Sequence, residues 1–166
     1  MPSKRICKEG NNGFYFLTFT VQHWYYIFDR YDRWEILKNS LNYCIENKEL
    51  SVMAYVFMLN HIHLIVHSPD VAGFVRDFKK HTSRELMKNI QKYEPQIVHF
   101  FQNENGNFNI WKKTNMPIYL ESDFVYGQKW DYIEANPVMK KYVHSTNHWW
   151  YSSANPQSPV KVRRDG

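Results

Sequence analysis

Between Val52 and His67 the chain carries two apolar runs of strand length, and the second alternates histidine with aliphatic residues. Val52-Met53-Ala54-Tyr55-Val56-Phe57-Met58 and His61-Ile62-His63-Leu64-Ile65-Val66 are too short, β-branched and aromatic to read first as helix. Alternate side chains of a strand share a face, so His61, His63, Ile65 and His67 project one way and Ile62, Leu64 and Val66 the other. The second strand therefore has one purely apolar face and one that carries imidazoles. A short segment at Leu59-Asn60 joins the two runs, either as a turn between two strands or as the middle of one continuous strand.

Side chains two apart in a strand start roughly 6.5 Å from one another, and rotamers can bring their rings onto one ion. His61 and His63 can thus form a two-histidine clamp that leaves positions open for a third ligand, water or a phosphate oxygen, as a catalytic metal requires. Judged alone, such a pair is more often a half-exposed polar strand face. His67, His81, His99, His144 and His148 have no partner at diagnostic spacing and read as surface or capping residues.

The rest of the chain supplies elements to cover these strands. Phe14–Val21, preceded by Gly10-Asn11-Asn12-Gly13, reads as a strand, and Asp32–Asn47 as a helix with Trp34, Leu37, Leu41, Cys44 and Ile45 on one side. Ser68-Pro69-Asp70 opens a second helix whose apolar stripe runs through Val71, Phe74, Phe78, Leu86 and Ile90 until Glu94-Pro95. Ile97–Trp111, with Asn103–Asn107 at its centre, reads as a hairpin, and Ile118–Leu120 as a further strand. Ser122 and Asp123 cap a last main helix that Pro137 should end soon after Asn136. This order suits an α+β sandwich, a mainly antiparallel sheet with helices packed on one face. The expected domain is a single one over residues 1–153, with a polar tail at 154–166 free to move or to lie on nucleic acid.

Composition narrows the partners. Aromatic residues make up 17% of the 166, more than a core of this size needs, so some should be exposed where flat rings can stack on bases. Lys and Arg number 21 against 16 Asp and Glu, for a formal charge of +5, which favours a polyanionic partner. Lys79, Lys80 and Arg84 on the second helix, with Lys112 and Lys113 later, are the candidate DNA-binding residues, although a solvated helix face explains the first group equally well. Cys7 and Cys44 lack any framework or CxxC spacing, and no apolar stretch reaches membrane-spanning length. The expectation is a cytoplasmic protein with no membrane partner.

On the last helix Tyr132 and Asn136 lie four apart and share a face, so one element can deliver a nucleophile and a ligand together. A phenol with a reference pKa of about 10 needs a nearby base or cation before it attacks. Asn136 or Glu134 could complete the shell of a metal beside the scissile phosphate. Taken alone, Tyr132 reads more simply as a helix aromatic packed on the sheet.

These residues resemble the single-tyrosine HUH transposases, especially the REP-associated branch. The likeness is carried by Tyr15-Phe16-Leu17-Thr18-Phe19-Thr20, by Phe57-Met58-Leu59-Asn60-His61-Ile62-His63-Leu64-Ile65-Val66 and by Lys79-Lys80-His81-Thr82-Ser83-Arg84. It continues through Asp131-Tyr132-Ile133-Glu134-Ala135-Asn136-Pro137-Val138 and Trp149-Trp150-Tyr151-Ser152-Ser153, in the family's order. The resemblance implies a bacterial source, a ferredoxin-like (RNP-like) sheet, a magnesium or manganese ion, and single-stranded or hairpin DNA cleaved through a 5′-phosphotyrosine link. It also implies that Tyr132 is the nucleophile and His61 and His63 are metal ligands, with Asn136 where many relatives have a glutamine. Relatives often have proline near Leu59, histidine at Glu134 and a glycine after the Asn-Pro-Val motif, none of which stands here. The expected activity is a metal-dependent single-stranded DNA endonuclease and strand transferase. Its alternatives are a non-cleaving binder of hairpin DNA or RNA derived from a transposase and, more distantly, a water-using metal hydrolase. Monomer and homodimer both fit.

Overall fold

The computed structural model describes residues 13–113 and 117–164. Cys7 and the Gly10-Asn11-Asn12 part of the expected first turn lie outside them. Four strands form one antiparallel sheet in the order β2-β3-β1-β4: β1 is Tyr15–Thr20, β2 Ser51–Phe57, β3 His61–His67 and β4 Ile118–Tyr119. The helices are α1 (Arg33–Asn47), α2 (Val71–Tyr93) and α3 (Asp123–Met139). The α+β antiparallel architecture expected from the sequence is present.

Alternation sorts the strands' side chains into two cores. Tyr15, Leu17 and Phe19 of β1 and Ile62, Leu64 and Val66 of β3 face the larger core, where Leu37 and Leu41 of α1 and Phe74, Phe78, Leu86 and Ile90 of α2 cover them. On the opposite face Phe16, Ala54, Val56, Ile65 and Leu120 form a smaller cluster around Ile133 of α3. Coverage therefore extends beyond the single face expected: α1 and α2 lie on one side and α3 on the other. β2 carries the reason in its composition, since a strand apolar at nearly every position must be buried on both faces. A bulge between Val52 and Ala54 reinforces this, turning Met53 and Ala54 both toward the α3 side before Tyr55 returns to the large core.

The Leu59-Asn60 segment is a turn between two strands, closed by Met58 N–H to the His61 carbonyl at 2.8 Å. Val21 N–H donates to the Asn60 carbonyl at 2.9 Å, and Ile27 and Phe28 N–H both donate to that of Leu59 at 3.2 Å. The chain leaving β1 thus pins the turn from which the histidine strand starts. The hairpin expected over Ile97–Trp111 is reduced to a bridge between Gln102 and Phe108. Its first arm is instead a 3-10 helix, Pro95–Phe100, because Pro95 at the first helical position is preset for helical φ.

Pro137 lies inside α3, which runs two residues past it to Met139. A proline this near the end removes only one helical bond, and Lys141 at φ 62° then turns the chain away. Beyond it the aromatic-Ser-Ser segment lies along the free edge of β2. Phe57 N–H donates to the Tyr151 carbonyl at 2.9 Å and Ser153 N–H to that of Tyr55 at 3.0 Å, covering groups that an open edge would expose. Residues 154–164, read from composition as a polar tail, are seated on the domain: Val160 is buried in the large core, and Arg163 N–H donates to the Val52 carbonyl at 2.8 Å. Among the described residues no helix is long and apolar enough to cross a membrane.

Candidate active site

Pairing of β1 with β3 sets Thr18 directly across from His63 and Thr20 across from His61, on the sheet face that α3 covers. The two imidazoles meet edge to face with centroids 4.8 Å apart. His63 is buried, stacked on Phe16 at 5.3 Å, while His61 is half-buried. Burial, with the charge of Lys140 second, pushes the His61 pKa down to about 4. Burial, then the charges of His61 and Lys129, push that of His63 down to about 3. Both rings are therefore neutral at physiological pH, the form in which imidazole binds a metal.

Hydrogen bonds also select which nitrogen each ring offers. Asn60 donates its amide Nδ2 to the Trp24 carbonyl at 3.0 Å, which fixes the amide so that Oδ1 faces His61 Nδ1 at 2.7 Å. An amide oxygen only accepts, so His61 carries its proton on Nδ1 and leaves the Nε2 lone pair free. His63 Nδ1 lies 2.9 Å from Thr18 Oγ1, and its Nε2 is buried with no hydrogen-bond partner among the described residues. A hydroxyl can accept from Nδ1–H, which again frees Nε2. A buried nitrogen without a partner costs free energy unless something occupies its lone pair.

The structure brings Tyr132 to this pair within the same chain. Its ring is 5.2 Å from His63 and 6.2 Å from Phe16, both edge to face, and it is 44% exposed, so a large substrate can reach it. One turn on, Asn136 is buried. The charge of Lys129, one turn before Tyr132, disfavours the protonated His63, and that of Lys140, one turn after Asn136, disfavours the protonated His61, so the face of α3 that carries Tyr132 and Asn136 is flanked by positive charge. Glu134 points elsewhere: its carboxylate accepts from Ser153 Oγ at 3.1 Å. Lys129 Nζ lies 4.8 Å from the Phe16 ring centroid and 5.9 Å from that of Tyr132, placing a positive charge beside the phenol.

The strands β1, β2 and β3, with both histidines, and α2 fall within an independent match over residues 12–115, more than half of the chain, to the IS200-like transposase family; α3 lies beyond the matched residues. The chain belongs to that family. Two solved structures share the fold. One is a REP-associated tyrosine transposase bound to a REP hairpin, 18% identical, with a TM-score of 0.69, covering 98% of this chain and 92% of the other. The second is a transposase of Deinococcus radiodurans, 18% identical, with a TM-score of 0.50, covering 79% of this chain and 95% of the other. No curated protein matches.

In this IS200-like transposase the basic residues that the sequence divides into two groups are joined. Trp111 Nε1 donates to buried Thr82 Oγ1 at 2.9 Å and Ile110 N–H to Ser83 Oγ at 3.1 Å, fastening 110–111 to α2. Lys112 and Lys113 consequently reach the same side as Lys79, Lys80 and Arg84. Lys80, Arg84 and Lys113 are exposed. Lys79 is half-buried, its ammonium donating to the Lys112 carbonyl at 3.2 Å, and burial lowers its pKa. Lys79 thus helps hold the segment, while Lys80, Arg84, Phe108 and Asn109 line a shallow groove beside it.

Roles for Thr18, Asn60 and Lys129 escape sequence reasoning. Only strand register reveals Thr18, and only the fold brings Lys129 to Phe16. Asn60 had a readable signal, since an amide next to a histidine can choose its tautomer. Among the described residues no three His, Cys, Asp or Glu side chains gather into a metal cluster.

Proposed function

We propose that this IS200-like transposase is a metal-dependent single-stranded DNA endonuclease and strand transferase acting on hairpin-containing DNA, with Tyr132 as nucleophile. The observation that carries the reading is Tyr132 edge to face with His63, whose Nε2 is buried and without a partner among the described residues. Neutral imidazoles, an orphaned nitrogen and a buried amide fit a divalent ion such as magnesium or manganese, which His61, His63 and Asn136 would hold. When bound, the ion supplies Lewis acidity toward a nonbridging phosphate oxygen.

The chain's own residues do the rest. Tyr132 Oη forms a bond to phosphorus as the P–O3′ bond breaks; the phenolic proton passes to solvent and the departing 3′ oxygen takes one up. The product is a 5′-phosphotyrosine and a free 3′-hydroxyl, which keeps the bond energy available for rejoining. Lys129 stabilises negative charge gathering between the phenol and the phosphate. Asn60 and Thr18 hold the two rings in place, and Lys80, Arg84, Lys112 and Lys113 bind backbone phosphates. The hairpin bound to the structurally similar REP-associated transposase supports a hairpin substrate.

The test is denaturing electrophoresis of the protein with end-labelled, hairpin-bearing DNA and manganese. An adduct stable to denaturant should form on the fragment bearing the new 5′ end and vanish in Tyr132→Phe. If no hairpin substrate yields an adduct while salt-sensitive binding persists, the protein is instead a non-cleaving binder.

A further inference from the structure

The segment after β1 is held in a conformation that its side chains disfavour. His23 and Trp24 are consecutive residues with left-handed backbone, φ 59° and φ 56°, a region costly for residues that carry a Cβ. Such geometry persists only where its surroundings impose it, and it concentrates at binding and active sites. Here the surroundings are plain. Gln22 N–H donates to the Ile110 carbonyl at 2.8 Å, Lys112 N–H to that of Thr20 at 2.8 Å, and Gln22 Nε2 to that of Trp111 at 3.2 Å, zipping 20–22 to 110–112. Asn60 Nδ2 then holds the Trp24 carbonyl, and the same amide holds His61.

This scaffold presents the Trp24 indole to solvent, 62% exposed, with the Lys112 ammonium 3.4 Å from the ring centroid. A large apolar ring usually contributes to a core, whereas Trp24 stands mostly in solvent. Its carbonyl is two hydrogen bonds from a candidate catalytic histidine. Exposed Tyr26 follows it in the chain, and exposed Lys113 follows Lys112.

We propose that Trp24, with Lys112 across its indole, is a stacking platform for an unpaired base of the DNA strand passing His61. The ring offers a face to any base, and the lysine pairs with the adjoining phosphate, so the site takes single strands without reading their sequence. Net positive charge on this segment favours a nucleic acid over a second protein surface. The rigid tie through Asn60 sets the stacked nucleotide at a fixed distance from the imidazoles. The proposal shares its ligand class with the function above but does not depend on cleavage.

It is tested by fluorescence anisotropy with a short fluorescein-labelled oligo(dT) and the full chain in chelator, so that binding is read without strand cutting. Trp24→Ala should bind roughly tenfold more weakly and Trp24→Phe close to wild type, with unchanged thermal unfolding. An oligomer of abasic sites should bind wild type and Trp24→Ala alike. Lys112→Ala should lower the salt dependence of log Kd by about one ion. Equal binding by Trp24→Ala and wild type would overturn the platform, even where wild type forms the tyrosine adduct. Loss of self-association in Trp24→Ala with DNA binding intact would overturn it too, making the occupant a second copy of the chain. A missing adduct alongside the expected binding pattern counts against cleavage alone.

Discussion

His61 and His63 gain their chemical character from the side chains hydrogen-bonded to them. Asn60 sets the His61 tautomer, and Thr18 accepts or donates at His63 Nδ1. Outer partners of this kind typically govern metal affinity by roughly 10- to 100-fold. Asn60→Ala and Thr18→Val should each weaken manganese binding within that range, measured by calorimetry on the DNA-free protein. Thr18→Ser, which keeps the hydroxyl, should restore affinity, whereas a purely steric role would leave it impaired. The imidazole alternation and the Tyr132/Asn136 spacing were legible in the sequence because both follow from the local periods of strand and helix. The hydrogen-bond partners were not, because the pairing of Thr18 with His63 depends on a register between segments far apart in the chain.

Elements carry the nucleophile to the strand, and α3 is the one on which this depends. Among the described residues it is the one α-helix packed on its sheet face, anchored through Ile133 and through the partly buried Val125, Tyr126 and Trp130. Its first turn begins in solvent, with Phe124 73% exposed, so its start relies on the Ser122 hydroxyl, which accepts from Val125 N–H at 3.2 Å. Ser122→Ala should cost about 1 kcal/mol. Hydrogen exchange should place the loss in the first turn of α3, with Ser122→Asp retaining protection. The caps of α2 and α3 and the strand spans were readable from residue chemistry. The side on which α3 packs was hidden, because its aromatic and polar residues form no clear stripe; the only clue lay in β2, apolar on both of its faces.

At the scale of the whole molecule, one charged cluster joins the segment before α1 to the end of α2. Arg33 is fully buried yet charged, with Nη1 2.8 Å from Glu94 Oε2, and Arg30 pairs with the other oxygen at 2.9 Å. Burial disfavours the Glu94 carboxylate, but hydrogen bonds from Arg30 and Arg33 and their charges outweigh it, holding its pKa below the ordinary carboxylate value. The segment fixed here includes Ile27 and Phe28, whose N–H groups grip the turn before His61, so the clamp reaches the site through the backbone. Replacing one partner of a buried pair strands the other charge, a loss of about 3 kcal/mol or more. Glu94→Gln should therefore lower the unfolding free energy by that order at neutral pH. A carboxyl with a depressed folded pKa contributes its full stability above the unfolded value of about 4.3 and loses it as pH falls through the lower folded value. The gap between wild type and Glu94→Gln, followed by urea unfolding, should accordingly hold constant from neutral pH to about 5 and narrow as the pH falls further below about 4. A gap that stayed open in acid would mean that Glu94 acts by shape rather than by charge.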